Sequence, residues 1–247
     1  MTEKEIVYTL DLERELGGMA NRKFMYLKDG ENIIRFLPPY DAERIAFLRT
    51  YVHYGIGTNP GFVFCPRYMA KLPCPICEHA EGLIGKGYDK SSDEVRRLLA
   101  KQRYLSNVVD LNFKEDGVKV LIYPRLVYDG LLNILRDTQN FGDFTHYKTG
   151  FPIKITRSRS GVAIHMRTYS VIPLPQRGPV DPSWLKGMYN LKKVAEPKPY
   201  EELRLLLLQA LEAKDIAFHE EAPATQKVEN DDFPFGNAYE FIDRLLE

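Results

Sequence analysis

The chain has 247 residues, 44% of them apolar, and carries 34 Lys/Arg against 34 Asp/Glu. That is ordinary for a globular protein and enough for one well-buried domain with appendages or for two small ones. No run of about 18 apolar residues could span a bilayer, and the opening MTEKEIVYTLDLEREL is charged where a signal peptide is apolar, so the chain reads as cytoplasmic with no membrane partner.

Neutrality here is a cancellation. Residues 1–40 hold six Lys/Arg against seven Asp/Glu, residues 41–193 hold 23 against 14, and residues 194–247 hold five against 13. A basic body with an acidic end is the pattern of a polyanion-binding domain with a self-competing tail.

Residues 1–20 read as an amphipathic N-terminal arm that stops at Gly17-Gly18. Short β-branched and aromatic runs bounded by breakers then predict strands at 32–37 (NIIRFL, before Pro38-Pro39) and 46–54 (AFLRTYVHY, before Gly55). In the second, Phe47, Arg49, Tyr51 and His53 share one face and Leu48, Thr50 and Val52 the other. Residues 55–73 look like a loop, and SSDEVRRLLAKQ predicts a helix over 91–102 with a serine cap. Strands follow at 104–112 and 117–123, joined through Lys114-Glu115-Asp116-Gly117, and then a helix at 126–137. Residues 152–158 and 162–172 form a hairpin turned at Ser160-Gly161 that carries Lys154, Arg157, Arg159 and Arg167, either a solvated hairpin or one wall of a phosphate-tracking groove. A Pro-rich connection at 173–182 leads to a helix near 199–214 whose LRLLLLQALEA is too apolar to stand alone. The core is thus assigned to 21–218 and an acidic, flexible tail to 219–247, in a mainly β fold with helices, of the α+β class.

All three cysteines, Cys65, Cys74 and Cys77, fall within 13 residues, an odd cluster that suits thiolate ligands better than disulfides. Cys74-Pro-Ile-Cys77 is a C-x2-C knuckle, and with His53 and Cys65 it gives H-x11-C-x8-C-x2-C, a set for one structural zinc ion. His79 is the alternative fourth ligand, disfavoured because it lies only two residues past Cys77. Zinc deaminases carry H-x-E before P-C-x-x-C. Here His79-Ala80-Glu81 follows the knuckle, which is the wrong order. Phosphate-loop, nucleophile-elbow and H-E-x-x-H motifs are also missing from the sequence, so a binding protein is expected rather than an enzyme.

The 15 tyrosines and 13 phenylalanines often stand beside basic residues, as in Arg49/Tyr51, Arg67/Tyr68, Arg103/Tyr104, Tyr123/Arg125 and Arg167/Tyr169. Each aromatic could be core. Together they suit a single strand, whose bases stack on rings while Lys/Arg track its phosphates.

GENIIRFLPP, the His53-Cys65-Cys74-Cys77 spacing, YLSNVVD, VKVLIYPRLVYDGLLNIL and GFPIKITRSRSG together resemble the helix-destabilising single-stranded DNA-binding protein family of T-even-like phages over about residues 24–172. The resemblance implies an OB-fold barrel with a zinc subdomain inserted at about 53–103. It also implies cooperative coating of single-stranded DNA in replication, recombination and repair, with self-association along the strand. It carries zinc onto His53, Cys65, Cys74 and Cys77 and strand contact onto Tyr104 and Tyr123. Arg49, Tyr51, Arg103, Arg125, Lys154, Arg157, Arg159 and Arg167 are added as contacts from their own pattern. The chain departs at its start, where Glu3, Glu5, Asp11, Glu13 and Glu15 replace the family's basic arm. Asp231, Asp232, Phe233, Pro234 and Phe235 in the tail resemble the acidic-aromatic tip with which bacterial single-stranded DNA-binding proteins recruit partners, and would contact replication and recombination proteins. An adaptor whose basic body is incidental, and a single-stranded RNA binder, are the rival readings.

Overall fold

A computed structural model describes residues 23–40, 46–56, 61–159 and 167–220. The arm over 1–20, the turn at Ser160-Gly161, the side chains of Arg159 and of residues 213–220, and the tail residues Asp231, Asp232, Phe233, Pro234 and Phe235 lie outside the described residues.

Among the described residues the strands β1 (Phe24–Tyr26), β2 (Gly30–Phe36), β3 (Leu48–Tyr54), β4 (Phe62–Phe64), β5 (Lys101–Asp110), β6 (Val118–Tyr123), β7 (Ile153–Arg159) and β8 (Arg167–Pro173) form one sheet. Its organising element is β5, buried on both faces from Tyr104 to Val109, as a strand covered on both sides must be. One edge of β5 pairs with β6, from Tyr104↔Tyr123 to Val109↔Val118. The other edge is divided: β3 takes Lys101 to Leu105 and β2 takes Val108 to Asp110, all antiparallel. β2 continues to β7 and β7 to β8, while β1 lies parallel to β6. The hydrogen-bonded path therefore ends at β1 and β8, an open sheet where a closed barrel was expected.

Helix α4 (Arg125–Arg136) lays Val127, Leu131 and Ile134, one helical stripe, on a core with Ile34, Phe36, Val108, Leu121, Tyr123, Phe144, Ile153 and Ile155. Opposite, short helices α5 (Pro182–Lys186) and α6 (Leu191–Val194) cover the other face, where Leu191 packs with Val52, Phe62, Leu105, Val120 and Ile122. Buried Asn107 fastens this flank by donating to the Tyr189 carbonyl and accepting from its N–H, both at 2.9 Å. The guanidinium of buried Arg35 donates to the carbonyls of Phe36, Phe144 and His146, tying the 141–150 loop to β2.

Between β3 and β5 the chain makes a lobe of β4 and three helices: α1 (Pro66–Ala70), α2 (Pro75–Gly85) and α3 (Asp93–Leu98). Sequence reading missed β1, β4, α1, α2, α5 and α6. It also overran α3 at both ends and started β5 three residues late. Helix α7 (Tyr200–Glu220) begins by laying Leu203 and Leu207 on the lobe with Ile56, Val63, Ile76 and Leu98, which answers the need of its leucines for cover. The described residues up to Leu211 belong to one compact unit and those from Glu212 to a second. No described helix is long and apolar enough to cross a membrane.

Candidate metal centre and nucleic-acid interface

The lobe is built around four side chains. Two Cys-Pro dipeptides each start a helix, with Cys65 as the cap of α1 and Cys74 as the cap of α2, and proline at the first helical position, where its missing N–H costs nothing. Cys77 follows in the first turn of α2, and His53 stands near the end of β3. All four are buried, and their ligand atoms lie within 4.8 Å of one another.

His53 Nδ1 lies 2.7 Å from the carbonyl oxygen of Leu98, a contact only an N–H can make. The tautomer is thereby fixed, and the Nε2 lone pair points at Cys74 Sγ (3.5 Å) and Cys77 Sγ (3.7 Å). Cys65 Sγ and Cys77 Sγ are 3.6 Å apart, far beyond a disulfide bond. Bonds of about 2.3 Å to sulfur and about 2.0–2.1 Å to nitrogen put the corners of a tetrahedron roughly 3.5–3.8 Å apart. The observed spacings match, so the group could hold one metal ion with no coordination position left over. Without an ion the thiols share their charge unequally: hydrogen bonding to Cys65 and Cys77 pulls the Cys74 thiol toward thiolate, while hydrogen bonding to Cys65 and Cys74 pushes the Cys77 thiol up. Burial opposes the charged form of His53, but its sulfur neighbours outweigh burial and raise its pKa to about 9. His79 lies outside the cluster, and Glu81 pairs with Arg67 at the surface, so the deaminase-like residues do not converge.

The expected strand contacts divide into two groups and some outliers. Arg49, Tyr104 and Tyr123 form one rung across β3, β5 and β6, and Arg125 and Arg49 both act electrostatically on Tyr104. The two tyrosines are nevertheless core. Tyr123 is 1% exposed and hydrogen-bonds Ser106 through its hydroxyl at 2.8 Å, and Tyr104, 5% exposed, stacks on Tyr128 with ring centres 3.8 Å apart. Both rings are covered in this conformation, so the stacking role expected of them would require the rings to be uncovered. Burial pushes both phenols up. Arg49 and Arg125 are exposed, the latter beside Asp129 at 3.4 Å.

The second group gathers at one end of the sheet. Arg103 donates to the Tyr54 hydroxyl at 2.9 Å with its guanidinium over the Tyr54 ring. Across from it, Tyr169 pairs with Arg157 and lies within electrostatic reach of Arg103, Arg167 and Asp29. Tyr54 and Tyr169 are half-buried, and burial raises both phenols; that of Tyr26 alongside reaches about 12. Lys154 is not brought to this group. It alternates with core-facing Ile153 and Ile155, so it faces the other way and pairs with Glu31 at 2.9 Å. Tyr51 stacks on Tyr68 at 5.1 Å, and Tyr68, carried by α1 just after Cys65, is 58% exposed. Sequence reading selected none of Tyr54, Tyr68, Tyr128 and Tyr169 as sites, although Arg67/Tyr68 and Arg167/Tyr169 had stood out as neighbours.

A comparison with curated proteins gave no match. A family model described as gp32 DNA binding protein like matches residues 28–211, which takes in strands β2 to β8, the lobe with its four-residue cluster, and the first three turns of α7. The chain belongs to the gp32-like DNA-binding protein family.

Proposed function

We propose that the protein binds single-stranded DNA largely without regard to sequence, coating and protecting it during phage DNA replication, recombination and repair, without catalysis. The observation that carries this reading is the convergence, in a member of a DNA-binding family, of Arg103, Arg157 and Arg167 with the half-buried rings of Tyr54 and Tyr169. Rings stack on any base and arginines track any phosphate, so such a surface reads no sequence. Arg49, near the start of β3, and Arg125, at the start of α4, add exposed phosphate contacts elsewhere on the surface, and in the lobe Tyr68 on Tyr51 offers a further stacking face. In this reading β5, shared by three partners, turns the corner of an OB-type groove.

The lobe's ion is zinc: three thiolates and one imidazole suit it, and four protein ligands make the site structural. Its task is to hold the caps of α1 and α2, and through α1 to set Tyr68 on Tyr51. The tail, with Asp231, Asp232, Phe233, Pro234 and Phe235, competes with the strand as a tethered polyanion and recruits replication and recombination proteins.

Fluorescence-anisotropy titrations with single-stranded DNA, duplex DNA and single-stranded RNA at two salt concentrations test the reading. Salt-sensitive binding, tightest to single-stranded DNA, is expected. Tighter binding to RNA would favour the RNA reading, and no affinity for any of the three would favour an adaptor.

A further inference from the structure

The arginines of the β7–β8 hairpin already have an anion. Asp29 Oδ1 lies 2.9 Å from Arg157 Nε and 3.5 Å from Arg167 Nη1, so a single carboxylate bridges guanidinium groups on adjacent strands. Arg157 is further oriented by donating to the carbonyl of Leu27. The turn that presents Asp29 is held rigidly. Gly30 takes φ 90°, open to glycine at no steric cost, and buried Asn32 reaches back over the turn. Its side chain accepts from the Lys28 N–H at 2.9 Å and donates to the carbonyls of Lys28 (3.0 Å), Gly30 (3.2 Å) and, across on β7, Ile155 (3.1 Å). One bond accepted by the amide oxygen and two N–H groups shared among three carbonyls fix both the shape of the turn and its position against the strand that carries Arg157.

We propose that Asp29 is a built-in competitor for phosphate: its carboxylate takes the position between Arg157 and Arg167 that a phosphate of the bound strand takes once it displaces Asp29. This rests on the reading of the protein as a single-strand binder and deepens it. Guanidinium forks accept carboxylate and phosphate in the same geometry, so one anion can stand in for the other. The site is reachable from the side of Asp29 and Arg167, whose side chains are partly exposed; Arg157 Nε lies behind them, buried, and meets Asp29 as an ion pair without a hydrogen bond. It also adjoins Tyr169, which feels Arg103, Arg167 and Asp29 together. A carboxylate there keeps two like charges tolerable on neighbouring strands in the free protein and lowers affinity for every polyanion equally. A strand is held only where it also engages the rings.

The test is a set of anisotropy titrations with a labelled oligothymidylate over a salt series. Removing a charge about 6 Å from a bound phosphate at intermediate screening makes Asp29→Asn bind about 3- to 10-fold tighter at low salt. The salt dependence steepens by up to about 0.7 in log-log slope. Glu31→Gln, which removes a carboxylate on the opposite face, leaves affinity unchanged. In the Asp29→Asn/Arg167→Gln double variant the gain disappears. Unchanged or weaker binding by folded Asp29→Asn overturns the proposal, as does a gain that survives Arg167→Gln. Should Asp29→Asn fail to fold, Arg167→Gln alone decides: its loss of slope is expected to be less than half that of Arg49→Gln, and equal losses overturn the proposal. A wild-type protein that binds no single strand refutes the proposed function as well, whereas a wild type that binds alongside an inert Asp29→Asn refutes only this inference.

Discussion

Cys74→Ser removes one corner of the metal cluster, and the structure sets the size of the effect. An ion held by the cluster would join Cys65 to Cys77, 12 residues apart, and His53 to Cys74, 21 apart. Closing each of these loops constrains the unfolded chain by about 3 kcal/mol in the chain-entropy model, and about 5 kcal/mol jointly because the loops overlap. Loss of a bound ion would thus lower the free energy of opening the lobe by about 5 kcal/mol, or between about three and four orders of magnitude in exchange protection. The loss is local. Helix α2 keeps a residue able to cap it, since serine is itself a favoured cap, but loses its tie to the other three ligands, and Leu203 and Leu207 of α7 lose the surface on which they rest, whereas β5 and β6 hold each other by six register pairs. Hydrogen exchange followed by mass spectrometry, with metal analysis of the same samples, reads this out. Protection in residues 74–85 and 200–211 falls steeply, while that in 105–123 changes little. A variant that keeps stoichiometric metal, or one that loses the metal with protection over 74–85 unchanged, refutes the reasoning.

Tyr68→Ala weakens single-strand binding by about 1–3 kcal/mol with the salt slope unchanged, and Tyr68→Trp restores it, as titrations over a salt series check. Arg49→Gln and Arg125→Gln each reduce the log-log slope by about 0.7 in the same titrations. Gly150→Ala costs about 2–3 kcal/mol in urea unfolding, because a Cβ there would sit 2.5 Å from both terminal nitrogens of Arg35 and nearer still to the Phe144 carbonyl. Removing residues 221–247 tightens binding most at low salt, where the tail's charge is least screened.

The sequence was legible where a local rule decided the outcome. Val127, Leu131 and Ile134 gave α4 its stripe, and the cysteine spacing singled out the four side chains that the fold brings together. It was illegible where tertiary contacts decide. β1 and β4 are three residues each, too short for a periodic signal, and β1 exists through its parallel pairing with distant β6. Helix α2 was hidden because Pro75 and the cysteines look like punctuation, although proline directly after a cap residue is itself a helix-start signal. The burial of Tyr104 and Tyr123 was not legible for a physical reason. A basic neighbour suggests an exposed ring, but both strands are covered on both faces there, and Ser106 meets the Tyr123 hydroxyl that would otherwise seek water. The unbroken run Val120-Leu121-Ile122-Tyr123 was the available warning.

The direct pairing of Val52 with Lys101 means that the chain leaves β3 and re-enters β5 at adjacent points. The whole excursion between them is therefore the enlarged tip of a β-hairpin. Closure entropy grows only logarithmically with tip length, so a tip can lengthen, shrink or be exchanged while the ladder beneath keeps its register. Such a position is tolerant of growth, and it accounts for a lobe with its own four-residue ligand cluster in the middle of a sheet that does not need one. The tolerance has one limit: trimming the tip would bare Leu203 and Leu207, so the lobe and the helix over it could be gained or lost only as a pair.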